Sequence, residues 1–98
     1  AKQRLRDLDE WFASKDFETG MHYFRRKAYD SAIIYFNDVI RQHPDAAKTR
    51  LAWLRLHAAY VAIRYTEDAT DACTRMRQLY PDDREVKLAC GAAPVAAR

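Results

Sequence analysis

The sequence predicts an all-α protein in which antiparallel helix hairpins stack into a short right-handed solenoid. Three observations carry that expectation. Apolar residues recur every three to five positions along most of the chain, which is the period of a helix face and not of a strand. Glycine and proline are sparse, two and three in 98 residues, and Pro44, Pro81 and Pro94 fall where helical stretches should stop. An internal repeat is the third: Tyr23 and Tyr60, Ala32 and Ala69, and Pro44 and Pro81 each stand 37 residues apart, a register that unrelated turns would not keep.

The elements follow in order. Leu5, Leu8, Phe12, Phe17, Met21 and Phe24 form one stripe, so a long helix is read from Gln3 to Arg26. Lys27 to Asp30 make a short turn. Asp30 is placed to cap the next helix, whose stripe is Ile33, Phe36, Val39 and Ile40. That helix must end before Pro44, because the proline ring disfavours a helical residue ahead of it. The pair makes hairpin one, residues 3–43.

Beyond the connector, Leu51, Leu54, Ala58 and Val61 form one stripe and Trp53, Leu56, Tyr60 and Ile63 another, so this helix is expected to be buried on both sides. Thr66 opens its partner, lined by Ala69, Cys73 and Met76, which completes hairpin two, residues 47–80. After Pro81, Asp82 and Glu85 have the D-x-x-E spacing in which the first carboxylate caps backbone N–H groups and the glutamate reaches back. A capping helix over residues 83–90 is expected to close the domain, and Gly91 to Arg98 to fray. Residues 1–98 are read as a single domain and as a fragment of a longer protein.

Composition excludes several classes. Hydrophobic residues at 49% and charged residues at 32% belong to packed amphipathic helices rather than to disorder. The net charge of +3 comes from interleaved signs, as from Lys2 to Glu10, not from a basic stripe that would track a phosphate backbone, so no nucleic acid partner is expected. No apolar run approaches the roughly 20 residues that span a bilayer. A signal peptide, if one is encoded, is expected to have been removed.

The hairpins resemble the tetratricopeptide (TPR) repeat, whose signature is W-x-x-L-G-x-x-Y, then A-x-x-x-F, then P. Hairpin two supplies Trp53, Leu56, Tyr60, Ala69 and Pro81, and hairpin one supplies Gly20, Tyr23, Ala32, Phe36 and Pro44. The departures are Asp16 and Thr19 for Trp and Leu, His57 for Gly, and Cys73 for Phe. The repeat also exceeds the usual length of about 34 residues, with the surplus placed in Asp45 to Thr49.

A narrower resemblance is carried by the run from Leu5 to Phe17, by YFRRKAYDSAI from Tyr23 to Ile33, and by FNDVIRQHPD from Phe36 to Asp45. These look like the C-terminal repeats of the BamD/ComL family, TPR lipoproteins of the outer-membrane β-barrel assembly machinery of Gram-negative bacteria. The likeness covers roughly residues 1 to 90. It implies a periplasmic part of an outer-membrane-anchored protein, with the lipid-bearing cysteine and further repeats upstream. It also implies a partner, the periplasmic domains of the barrel-inserting protein, and membrane contact only through that missing anchor.

No enzymatic chemistry is legible. There is neither a G-x-S-x-G turn nor a glycine-rich phosphate loop, and no cofactor is expected. His22, His43 and His57 are the only general-base candidates; His57 is read as a packing histidine and His43 as a cation suited to a helix C-terminus. No histidine or cysteine spacing predicts a metal site. Asp7, Asp9 and Glu10, among Lys2, Arg4 and Arg6, read as a solvated salt-bridged face. Cys73 and Cys90 are read as free thiols.

The expected function is therefore protein binding. In TPR geometry the first helices of the hairpins would present Met21, Phe24, Arg25, Leu51, Leu54 and Arg55, apolar positions rimmed by arginine. A cytosolic scaffold or co-chaperone adaptor, which clamps an acidic tail with Lys and Asn, is the alternative.

Overall fold

The computed structural model describes residues 2–91. Five α-helices follow one another among them, with no strand: α1 Lys2–Arg25, α2 Tyr29–Gln42, α3 Thr49–Ala62, α4 Thr66–Leu79 and α5 Arg84–Cys90. Consecutive helices pack together, and α1 also touches α3 and α3 touches α5. The first helices of the hairpins thus form one layer and α2 and α4 the other, the packing of a helical-repeat solenoid. No described helix is long and apolar enough to cross a membrane. The expected fraying tail lies, apart from Gly91, outside the described residues.

Both hairpins turn in the same way. Lys27 and Arg64 adopt left-handed φ angles of 63° and 64°. The N–H groups of Ala28 and Tyr65 donate to the carbonyls of Tyr23 and Tyr60, each at 2.9 Å. These are the bonds of a Schellman closure, which satisfies carbonyls the helix end would otherwise leave open.

Two caps differ from expectation. The residue preceding α2 is Ala28, which offers no side-chain cap, and Asp30 lies inside the first turn, where its charge suits the helix dipole instead. At α5 the cap is Asp83 rather than Asp82: its carboxylate accepts from Val86 N–H at 3.1 Å, while Glu85 turns to Arg50. The bond is made three residues ahead of the capping side chain, so the start of the helix moves by one.

The core runs through both hairpins. Phe36, Val39 and Met76 have no exposed surface, and Ala32, Ala52 and Ala59 let the helices approach closely. Trp53 and Ala69 are buried as the repeat register requires. Gly20 stands against Phe36, where an added Cβ would come within 2.7 Å of the ring; the helix uses glycine here to admit that ring.

Where α1 outruns α2, the stripe does not reach the core. Leu5, Leu8, Trp11 and Phe12 are all about half exposed or more, because α1 has 24 residues and α2 only 14. Nor is α3 buried on both sides: Trp53 and Leu56 point inward, but Leu51 and Leu54 are half-buried and Val61 is exposed.

The acidic residues of α1 are more than a solvated face. Glu10 accepts from Ala47 N–H at 2.9 and 3.2 Å, and Asp9 lies 2.6 Å from His43 Nδ1. They pin the connector between α2 and α3, and Thr49 donates back to the His43 carbonyl. Asp7 stays on its helix, accepting from Gln3 at 3.0 Å.

Candidate functional site

The capping helix α5 positions the site. Seven residues do not hold a helix on their own, so α5 depends on what ties it to hairpin two. Val86 is buried in the core. Arg50, in the first turn of α3, forms a forked pair with Asp83 and a further pair with Glu85. Those hydrogen bonds to Arg50 hold the Asp83 carboxyl down at about 2, and they raise the Arg50 guanidinium in turn.

The third tie corrects the expectation of free thiols: Cys73 and Cys90 are joined by a disulfide, their Cα atoms 5.6 Å apart. Cys73 faces inward from α4, and the return of the chain through Pro81 lays the end of α5 over it. Arg77 adds a bond from Nη2 to the Cys90 carbonyl at 2.8 Å.

So tied, α5 leaves a groove against α3. Leu51, Leu54, Arg55 and Ala58 form one wall and Glu85, Leu88 and Ala89 the other, around an open cavity of about 350 Å³. Leu88 is 76% exposed, an unusual amount for a leucine facing an apolar cleft. Of the positions expected to bind a partner, the structure brings Leu51, Leu54 and Arg55 together here. Met21 and Phe24 are instead half-buried against the core, Phe24 lying edge-on to Tyr29 and Phe36. Arg25 is exposed in the last turn of α1, away from this groove.

Sequence reasoning missed two further features. Leu88 and Ala89 complete the groove, and an apolar residue on a short helix after a capping Asp gave no hint of which way it would face. Leu5, Leu8, Trp11 and Phe12 form a second exposed apolar stretch; the stripe read from the sequence held Leu5, Leu8 and Phe12 but neither Trp11 nor the length mismatch that uncovers them. Trp11 stacks edge-on with Phe12 at 5.1 Å, and Lys15 lies over the Trp11 ring.

On the other side of His57 lies a second cavity, of about 440 Å³, lined by His57, Arg64, Cys73, Arg77 and Cys90 among others. Burial lowers the His57 pKa and so favours the neutral imidazole.

Stacked hairpins with open, apolar-floored faces define a helical-repeat protein. The chain belongs to the YfiO family of outer membrane lipoproteins, whose family model matches residues 1–86; this bears out the resemblance read from Leu5, Tyr23 to Ile33 and Phe36 to Asp45. No curated protein matches the chain.

Proposed function

We propose that this chain is a protein-interaction module of the machinery that assembles β-barrel proteins in the outer membrane. In this reading an N-terminal lipid holds the protein on the periplasmic side, and the hairpins dock against the periplasmic domains of the barrel-inserting protein. Membership of a family of outer membrane lipoproteins supports the setting. The observation that carries the binding role is the α3–α5 groove, where Leu51, Leu54 and Leu88 lie between Arg55 and Glu85. An apolar floor with charged edges gains most when a partner excludes water from it, while the charges orient the approach. Arg25 is the second proposed contact, and Met21 and Phe24 support the surface from beneath.

The test is a titration of the chain against the periplasmic domains of the barrel-inserting protein from the same organism. Arg55→Glu and Leu88→Asp are expected to weaken binding at least about tenfold, a loss of about 1.4 kcal/mol, with little change in melting temperature, and Arg25→Glu to weaken it less. Unchanged binding in all three, with Trp11→Ala weakening it, would move the contact to α1. No binding by the native chain would defeat the proposal.

A further inference from the structure

The two hairpins differ most sharply at one pair of positions. In hairpin one, Gly20 lies against the Phe36 ring, with no room for a Cβ. Thirty-seven residues on, the same positions hold His57 and Cys73. Loss of the ring from α4 leaves space that the imidazole of α3 can enter, so the two departures from the repeat pattern belong together. The closing helix then brings Cys90 to the same point. The ligand-capable atoms of His57, Cys73 and Cys90 all lie within 4.8 Å of one another, and all three residues line the cavity of about 440 Å³.

We propose that when the Cys73–Cys90 disulfide is reduced, His57, Cys73 and Cys90 bind one zinc-class divalent ion, so that cross-link and metal are alternative closures of the joint between α3, α4 and α5. The inference does not depend on the protein-binding role proposed above. One imidazole and two thiolates form a soft to borderline donor set, which selects zinc over calcium or magnesium. A tetrahedral zinc ion with ordinary bond lengths places its sulfur and nitrogen donors about 3.6 to 3.8 Å apart. The imidazole lies within 4.8 Å of both sulfurs, and the sulfurs, joined in the disulfide, need only separate to that distance once the bond is reduced. The fourth position faces the cavity, where water can fill it. Two thiolates neutralise the ion, and the Arg77 guanidinium, on the wall of the same cavity, favours the thiolate state.

The exchange balances. Two equivalents of a thiol reductant give up two electrons and two protons to the S–S bond, yielding two cysteine thiols and one reductant disulfide. Metal binding then releases those two protons to solvent as each sulfur becomes a ligand. Oxidation reverses both steps and expels the ion. No sequence spacing announces this site, because its three donors come from three helices.

The experiment uses the whole chain, reduced with a phosphine, freed of reductant under anaerobic conditions and titrated with Co²⁺ and then Zn²⁺. One equivalent of Co²⁺ is expected to produce thiolate-to-cobalt charge-transfer absorption with tetrahedral ligand-field bands, displaced by Zn²⁺. The oxidised chain is expected to show neither. Cys90→Ser should remove about half of the charge-transfer intensity, since one of two thiolates remains. His57→Ala, which leaves both thiols, should weaken binding at least about tenfold. Far-ultraviolet circular dichroism follows folding throughout: if the reduced chain loses helix, recovery of helix with one equivalent of Zn²⁺ supports the site. A reduced chain without sulfur charge transfer at one equivalent, or one whose cobalt affinity is the same in His57→Ala, would overturn it.

Discussion

Hairpin one is held by rings and hairpin two by cross-links, although they share a turn, a register and an alanine at the helix crossing. In hairpin one the Phe17 and Phe36 rings lie 5.8 Å apart, Phe24 meets Phe36 at 6.2 Å, and Gly20 admits them. The positions 37 residues later hold Leu54, Cys73, Val61 and His57. That set fills less space, and Leu54 and Val61 are not fully covered. Closure there comes from α5, through the disulfide, the Arg50 fork and Val86. A repeat can therefore keep its backbone while exchanging its source of stability, provided another element supplies what the missing rings do not.

The largest expected effect tests the ring half of that contrast. Phe36→Ala is expected to cost about 3–5 kcal/mol, since a fully buried ring leaves a cavity its neighbours only partly fill. A denaturant melt showing a loss below about 1 kcal/mol would mean that the aromatic cluster does not hold hairpin one.

Next comes the cross-link. With its cysteines 17 positions apart in the sequence, reduction is expected to cost about 3 kcal/mol, chiefly through the freedom returned to the unfolded chain. Melts with and without reductant measure it. Mass spectrometry of the unreduced chain should show two hydrogens fewer than the free thiols require.

The swapped pair sharpens the comparison further. Gly20→Ala forces a Cβ into the Phe36 ring and is expected to cost about 1–3 kcal/mol despite alanine's better helix propensity. His57→Ala, at the matching position, is expected to change stability by no more than about 0.5 kcal/mol in the oxidised chain. Equal losses would show that the two sites are packed alike.

The turns should behave identically in both hairpins. Lys27→Gly and Arg64→Gly each relieve a left-handed backbone conformation and are each expected to stabilise by up to about 1 kcal/mol, after allowing for glycine's greater freedom in the unfolded chain. A gain in only one hairpin would break the equivalence drawn from their shared hydrogen bonds.

The smallest effect is an acid slope at the joint between hairpin two and α5. The Asp83 carboxyl titrates at about 2 in the folded protein against 3.8 in its ordinary state. Below 3.8 the unfolded chain takes up a proton that the folded one refuses, so stability declines as pH falls towards about 2 and is fully present above that window. Partial exposure of the pair to solvent keeps the slope shallow. Denaturation across this pH range, with Asp83→Asn as the flattened comparison, checks it.

Periodicity and punctuation made the five helices legible, because an apolar stripe marks a helix wherever it packs, and a proline stops one by its own covalent geometry. The 37-residue register likewise disclosed the two hairpins, and the runs from Leu5 to Phe17, Tyr23 to Ile33 and Phe36 to Asp45 disclosed the family. Half of the α3 groove was readable, since Leu51, Leu54 and Arg55 share one face of one helix. Met21 and Phe24 were not separable from that set: a stripe says which residues share a face, not which neighbour covers it. The caps were missed by one or two residues because Asp30, Asp82 and Asp83 all suit a helix start chemically, and only backbone geometry selects among them.

What the sequence by itself determined is local in origin: helix positions, turn positions, the repeat and the absence of familiar catalytic motifs. The tertiary structure decided the rest. Cys73 and Cys90 form a disulfide because the chain returns through Pro81 and brings two distant side chains within bonding reach, a separation that no spacing rule encodes. Leu5, Leu8, Trp11 and Phe12 stay exposed because α1 outlasts its partner, although their pattern is that of a core. Pattern reports what a helix can bury, whereas the length and placement of its neighbours decide what it does bury.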